Sequence, residues 1–143
     1  MKLSTRTRYG MRAIIELAQH EGKRPLQLKV IAERQDISVK YLEQLMSLLR
    51  SAGFVRSVRG SKGGYVLARP ADQIRLSEVF RCLEGPVTTA ECADDEAYCA
   101  RSVDCAARKV WVRVEAAIQD VLGSISLSDL VQEAKPKTAE YHI

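Results

Sequence analysis

Hydrophobic and polar positions change period several times along this chain, and each change predicts an element. Over residues 5–20, Tyr9, Ala13, Leu17 and Ala18 recur near helical spacing, with Ile14 and Ile15 widening the stripe, which predicts a first helix. Ser4 or Thr5 can cap its start, Gly22 stands where a left-handed C-terminal residue belongs, and Pro25 stops the helix from continuing. A short helix over residues 28–34 offers Val30, Ile31 and Ala32 to a core, and Gln35-Asp36-Ile37 makes a tight connection. Ser38 then caps a longer helix over residues 39–50, with Leu42, Leu45, Met46 and Leu49 on its apolar face and Gly53 closing it.

The period next falls to two. Residues 54–59 alternate as a half-buried strand does, Gly60-Ser61-Lys62-Gly63-Gly64 forms a turn, and Tyr65-Val66-Leu67 returns. Two short helices joined by three or four residues, followed by a hairpin with a basic tip, make a winged helix-turn-helix. In that arrangement the second helix enters the major groove and the wing lies over phosphates or in the minor groove. The exposed positions near the start of the reading helix are Ser38, Lys40, Tyr41, Glu43 and Gln44. Gln44 suits adenine, and Glu43 can accept from a cytosine amino group. Arg59, Ser61 and Lys62 stand on the wing tip, where glycines let the hairpin approach a nucleic-acid backbone.

Beyond the wing, Val79, Phe80, Cys82 and Leu83 form a short apolar series. Residues 106–123 then read as one long helix, with Val110, Trp111, Val114, Ala117, Ile118, Val121 and Leu122 at three- and four-residue steps. That stripe is wider than one small domain needs to cover its core, so it predicts a dimerisation helix. The expected fold is mainly α with a small β-hairpin wing: a winged helix-turn-helix over 1–85, a cysteine-bearing segment over 86–105, and a dimerisation helix with its C-terminal segment over 106–143.

Composition adds limits. At 143 residues, 46% hydrophobic and 28% charged, the chain has one domain's worth of core and is not disordered. No apolar run is long enough to span a bilayer, and Met1-Lys2-Leu3-Ser4-Thr5-Arg6 leads into no secretory core, so a cytoplasmic protein is expected. Residues 1–85 carry 16 Lys and Arg against 8 Asp and Glu, a net of +8, whereas residues 86–143 carry 6 against 10, a net of −4. A basic front half joined to a mildly acidic back half points to a polyanion-binding module with a second unit of different purpose. Catalysis is not expected. His20 and His142 are the two histidines, neither lies near the cysteine segment, and no Walker, Rossmann or nucleophile-elbow pattern occurs.

Three of the four cysteines cluster: Cys92, six residues, Cys99, five residues, Cys105. Structural zinc favours closer pairs, and static disulfides are unexpected inside a cell. The segment between them lacks an apolar period, so a loop is expected, and thiolates on a partly exposed loop suit iron–sulfur ligation. Three thiols that answer directly to oxidants are the alternative.

The opening Met1-Lys2-Leu3-Ser4-Thr5-Arg6-Thr7-Arg8-Tyr9-Gly10, the run Ser38-Val39-Lys40-Tyr41-Leu42-Glu43-Gln44-Leu45 and the wing Val58-Arg59-Gly60-Ser61-Lys62-Gly63-Gly64-Tyr65-Val66-Leu67 resemble the Rrf-two family of winged-helix regulators. The resemblance continues through Leu83-Glu84-Gly85-Pro86, Trp111 and Leu127-Ser128-Asp129-Leu130. It implies a homodimeric repressor on a palindromic operator in double-stranded DNA, with a 2Fe–2S or 4Fe–4S cluster on Cys92, Cys99 and Cys105 as sensor. Cluster-binding branches space their three cysteines by five and five residues, and this chain by six and five. Their fourth ligand is a histidine or an aspartate at the positions of Arg108 and Arg8 here, and neither arginine can ligate iron. Cys82, His20, Glu91, Asp94, Asp95, Glu96, Asp104 or a group from a second subunit remain as sources of that ligand. A cluster-free branch, the CymR type, resembles the chain closely through the wing and through Leu83-Glu84-Gly85-Pro86. It would imply a repressor of sulfur metabolism governed by a cysteine-synthesis enzyme.

Overall fold

The computed structural model describes residues 2–134. Met1 of the opening motif and residues 135–143, including His142, lie outside the described residues. Helix α1 (Thr5–Gln19) starts where the Ser4 hydroxyl accepts from the Thr7 amide at 3.1 Å, and it buries Ala13, Ile14, Leu17 and Ala18. Helix α2 (Leu28–Gln35) runs one residue past its expected end and closes through Asp36 at φ 53°. A left-handed turn is tolerated by an aspartate, whose short side chain can satisfy nearby backbone. Helix α3 (Val39–Ser51) is capped by Ser38, which accepts from the Tyr41 amide at 3.1 Å, and all four residues of its expected apolar face are buried.

Strand β1 (Val55–Val58) pairs antiparallel with β2 (Gly64–Leu67), Val55 opposite Leu67 and Val58 opposite Gly64. Leu26 adds an isolated rung to β2: its amide donates to the Tyr65 carbonyl at 3.0 Å and its carbonyl accepts from the Tyr65 amide at 2.8 Å. That rung ties the wing to the entrance of α2, and Phe54 donates back to Leu49, so β1 leaves α3 without slack.

Two elements complete the core that the sequence showed only as apolar fragments. Helix α4 (Leu76–Glu84) contributes Leu76, Val79 and Leu83, with Cys82 packed at its edge. After the cysteine segment and the long helix described below, α7 (Leu127–Ala134) folds back onto α1. Leu127 is fully buried in the same core as Ile14, Leu42 and Val79. Leu76 donates to Ile125 at 2.9 Å and Leu127 to Ile74 at 3.0 Å, so a two-residue bridge stitches the C-terminal part to the winged half.

Helix α7 starts on a reciprocal cap. Ser126 donates its amide to the Asp129 carboxylate at 2.9 Å, and the Ser126 hydroxyl accepts from the Asp129 amide at 3.1 Å. These bonds, aided by Arg75, hold the Asp129 carboxyl below its ordinary value. A lowered folded value means the contribution is complete above the usual carboxylate range and disappears as pH falls through it. Asp129→Asn should therefore melt earlier than wild type at neutral pH, and the two melting curves should converge in acid. A gap that persists at low pH would show that the carboxylate charge is not what the cap uses.

Between α4 and the long helix the expected plain loop instead contains a single helical turn, α5 (Glu91–Asp94), and a 3-10 turn over Glu96–Tyr98. Bonds such as Asp95 to Glu91 at 3.0 Å close these turns locally. An element of three or four residues needs no apolar repeat, so periodicity does not reveal it. Helix α6 (Ala106–Ser124) then runs 19 residues, one longer than expected, and buries none of them.

Candidate nucleic-acid interface and cysteine segment

Ser38, Lys40, Glu43 and Gln44 are exposed along the first turns of α3, as expected of a reading helix. Tyr41 is half-buried instead: its ring meets Tyr9 edge-on, centroids 6.2 Å apart. The guanidinium groups of Arg12 and Arg8 lie 5.2 Å and 6.0 Å from the Tyr9 ring. Tyr41 thus joins α3 to the start of α1. A groove lined by Lys40, Tyr41, Glu43, Gln44, Ser47 and Arg6 runs along this face. Arg6 lines this groove although the sequence did not place it there, while Arg12 is bonded to Gln35. The available signal was three arginines within seven residues of a helix whose first acid is Glu16.

On the wing, Arg59, Ser61 and Lys62 are all exposed at the hairpin tip, where Gly63 donates to Gly60 at 3.0 Å. Among the described residues the ion pairs are Arg34–Glu16 and Arg69–Glu78, and neither engages the tip or the α3 face.

The cysteine segment is tied to α6 at both ends. At its start, Thr89 donates its amide at 2.6 Å and its hydroxyl at 2.9 Å to Glu115. At its end, Cys105 is the N-cap of α6, its sulfur accepting from the Arg108 amide at 3.5 Å. The Arg108 side chain reaches back to the Cys92 carbonyl, Nε to O 2.6 Å, so this arginine links the first and last cysteines. Cys99 is exposed, Cys92 and Cys105 are half-buried, and all four cysteines are free thiols. A hydrogen bond to Glu91, and that group's charge, hold the Tyr98 hydroxyl above its ordinary value, with Cys92 and Cys99 adding to the push. The Ser102 hydroxyl is buried without a partner among the described residues.

In kind, three soft thiol donors match an iron–sulfur cluster. In arrangement they do not: among the described residues no three His, Cys, Asp or Glu side chains converge where a metal ion would sit. Of the sources left open for a fourth ligand, Cys82 and His20 lie elsewhere. Cys82 packs against the core beside Leu48, whose carbonyl it approaches at 3.8 Å, and burial pushes its thiol up, with Arg6 opposing. His20 ends α1 and lines a cleft at the wing base with Lys23, Arg24 and Arg56. Glu91, Asp94, Asp95, Glu96 and Asp104 are all exposed within the segment itself. The residues as arranged do not form a cluster site.

A winged helix-turn-helix with an unpaired basic face, followed by a long helix with a bare apolar stripe, defines a DNA-binding transcriptional regulator. The Rrf2 (Rrf-two) family model, described as an iron-dependent transcriptional regulator, matches residues 3–133, and the chain belongs to that family. It is similar to the HTH-type transcriptional regulator CymR of Bacillus subtilis, 45% identical over 130 residues, covering 91% of this chain and 89% of the relative. The solved structure of T. potens IscR superposes with a TM-score of 0.79 at 39% identity, covering 99% of this chain and 97% of that one. Staphylococcus aureus CymR in an oxidized form gives 0.76 at 40% identity, covering 95% and 100%. These relatives and neighbours are regulators of transcription and not enzymes. Among the described residues no helix is long and apolar enough to cross a membrane.

Proposed function

We propose that the chain is a homodimeric repressor that reads a palindromic operator with α3 and the wing, and that the thiols of Cys92, Cys99 and Cys105 set how tightly it binds. The observation that carries this reading is the exposed, unpaired face formed by Ser38, Lys40, Glu43 and Gln44 with Arg59, Ser61 and Lys62. The tasks divide along the chain: 1–85, with α7 packed into its core, holds DNA, 86–105 senses, and α6 pairs two copies. A twofold dimer along α6 would place two reading helices about one DNA turn, roughly 34–36 Å, or a multiple apart. Because the sensing segment is fastened to α6 by Thr89, Arg108 and Cys105, a change at its thiols alters the first turn of the dimer helix.

Operator binding measured by anisotropy tests the interface. Arg59→Ala should weaken binding to every sequence and lower its salt dependence, since it removes a backbone contact. Gln44→Ala should relax specificity at one or two positions, since one good base contact discriminates by about 1–3 kcal/mol. Uniform losses from both variants would misplace the reading helix.

The divergence between the thiols' chemistry and their arrangement favours direct thiol control, and a neighbouring CymR solved in an oxidized form supports it. Peroxide, taking two electrons and two protons from a pair of thiols, should change operator affinity at least tenfold, reversibly by dithiothreitol. Replacing all three cysteines by serine should remove the response. A second reading, a 2Fe–2S or 4Fe–4S cluster, draws on the family model's description as iron-dependent. Anaerobic purification with iron and acid-labile sulfide counts separates the two. Protein without iron whose affinity ignores peroxide would instead favour control by a partner such as a cysteine-synthesis enzyme.

A further inference from the structure

The stretch Leu83-Glu84-Gly85-Pro86 lies between the DNA-binding unit and the sensing segment, and nothing above gives it a task. Its contacts run backwards, across 77–80 residues of sequence, to the first turn of α1. The Glu84 carboxylate accepts from the Ser4 amide at 3.2 Å, from the Ser4 hydroxyl at 2.6 Å, and from the Thr7 hydroxyl. Thr7 is 2% exposed, so this clasp is closed on the side facing the core. One residue earlier, the Leu83 carbonyl accepts from Arg6 Nε at 2.8 Å. The end of α4 therefore holds the beginning of α1 by both its side chain and its backbone.

Arg6 is the consequence of interest. A guanidinium carries five N–H donors in a fixed plane, and the Leu83 bond uses the one on Nε. Its terminal nitrogens remain, they enter no ion pair among the described residues, and the residue lines the groove with Lys40, Tyr41, Gln44 and Ser47. A planar fork pinned at its base and open at its tip matches a phosphate oxygen pair. We propose that Arg6 grips a DNA backbone phosphate beside the reading helix, and that Glu84 is the positioning residue that holds α1 so that Arg6 can do so. This rests on the DNA-binding reading above. The hydrogen-bond donors around Glu84 hold its carboxyl below its ordinary value, in line with a clasp that stays charged near neutrality. Gly85, at φ 93°, follows at once, so the clasp is the last fixed point before the chain turns into the cysteine segment. Any pull exerted there reaches the DNA face through Arg6.

The test uses the full chain and duplex operator across a salt series, comparing wild type with Arg6→Ala, Glu84→Ala, Glu84→Gln and Arg59→Ala. Each phosphate contact adds about 0.9 to the slope of log affinity against log salt. Two protomers that each lose one contact should therefore show a slope smaller by about 1.8. Between 50 and 200 mM salt, Arg6→Ala should thus lose about 12-fold less affinity than wild type does. Glu84→Ala should reproduce that reduced slope, and the double variant should be no worse than Arg6→Ala alone, because both remove one arrangement. Glu84→Gln keeps an acceptor for Ser4 and should restore most of the slope, a rescue that mere loss of charge does not predict. Should Glu84→Ala fail to fold, Ser4→Ala with Thr7→Val opens the clasp from the other side, and the same slope change is expected. An unchanged slope in Arg6→Ala, or tighter binding by Glu84→Ala, overturns the proposal. Arg59→Ala guards the premise: if its slope also equals wild type, the DNA-binding reading fails, whereas a reduced slope there with none in Arg6→Ala sinks the clasp alone.

Discussion

Replacing Val114 by aspartate is expected to leave a folded monomer that no longer holds its operator. Helix α6 buries none of its residues within one chain, and Val110, Trp111, Val114 and Val121 are 47%, 42%, 39% and 58% exposed. Helical side chains at those steps share one face, so the apolar stripe is continuous along the helix and faces away from its own core. Apolar surface of that extent is stabilised by removal from water, at about 25 cal/mol per Å². Covering the stripe with the same stripe of a second copy satisfies both, which is what a twofold interface does. An aspartate in its middle would have to be desolvated without a partner, so dimerisation loses several kcal/mol while the winged core, which contains no α6 residue among its buried members, is untouched. A monomer engages one half-site, and the loss of the second, tethered contact lowers operator affinity by about 10²–10⁴. Sedimentation, circular dichroism and anisotropy on one preparation read all three properties. A variant that stays dimeric with full operator affinity would show that the stripe has another purpose.

The second large effect is expected from Gly64→Val. A Cβ at Gly64 would stand 2.3 Å from the Leu26 carbonyl oxygen and 2.5 Å from its carbon, and both obstacles are backbone. The backbone there has φ 154°, a conformation that side-chain-bearing residues rarely adopt. Relief requires opening the Leu26–Tyr65 rung, which is what holds the hairpin to the body. A cost of about 3 kcal/mol follows from strain plus the lost bonds, or roughly 6–12 °C in melting temperature for a chain of this size. The wing then leaves its place, and contacts by Arg59 and Lys62 are lost together, so operator binding should fall further than in Arg59→Ala alone. Gly22→Ala supplies the contrast. It also has positive φ, 78°, but a Cβ there meets nothing within 4 Å, so about 1 kcal/mol is expected and DNA binding should be unchanged. Equal effects from the two substitutions would mean that backbone conformation, and not the close approach to Leu26, sets the cost.

Much of this architecture was readable from local chemistry. Ser4 and Ser38 cap the helices they were expected to cap, Gly22 and Gly53 take positive φ, and the stripe of Leu42, Leu45, Met46 and Leu49 is buried. Caps, left-handed glycines and helical stripes are all set by residues within four positions of one another, and the chain writes such relations directly. The hairpin was readable for the same reason, since alternation and a glycine-rich turn are both local. Signals spread over long separations were not. The acceptors that Leu83 and Glu84 present to Arg6, Ser4 and Thr7 sit nearly eighty residues from their donors, and no periodicity relates them. Tyr41 looked like a free base-reading group until packing set its ring against Tyr9.

The cysteines divide along the same line. Their number and spacing, their softness as donors and their place between a basic unit and an apolar helix belong to the sequence alone. Whether three thiols meet at one point depends on how two single turns and the first turn of α6 are fastened, and Arg108, notable in the sequence only as a position that cannot ligate iron, fastens Cys92 to Cys105. What the order of residues determined by itself is helices α1, α2, α3 and α6, the hairpin and the distribution of charge, because each arises from neighbours in the chain. What only the tertiary structure decided is that α7 returns to the winged core, that the Val110, Val114 and Val121 face of α6 is left exposed, and that α1 is clasped by α4. Each of those depends on which surfaces remain uncovered once the local elements have packed.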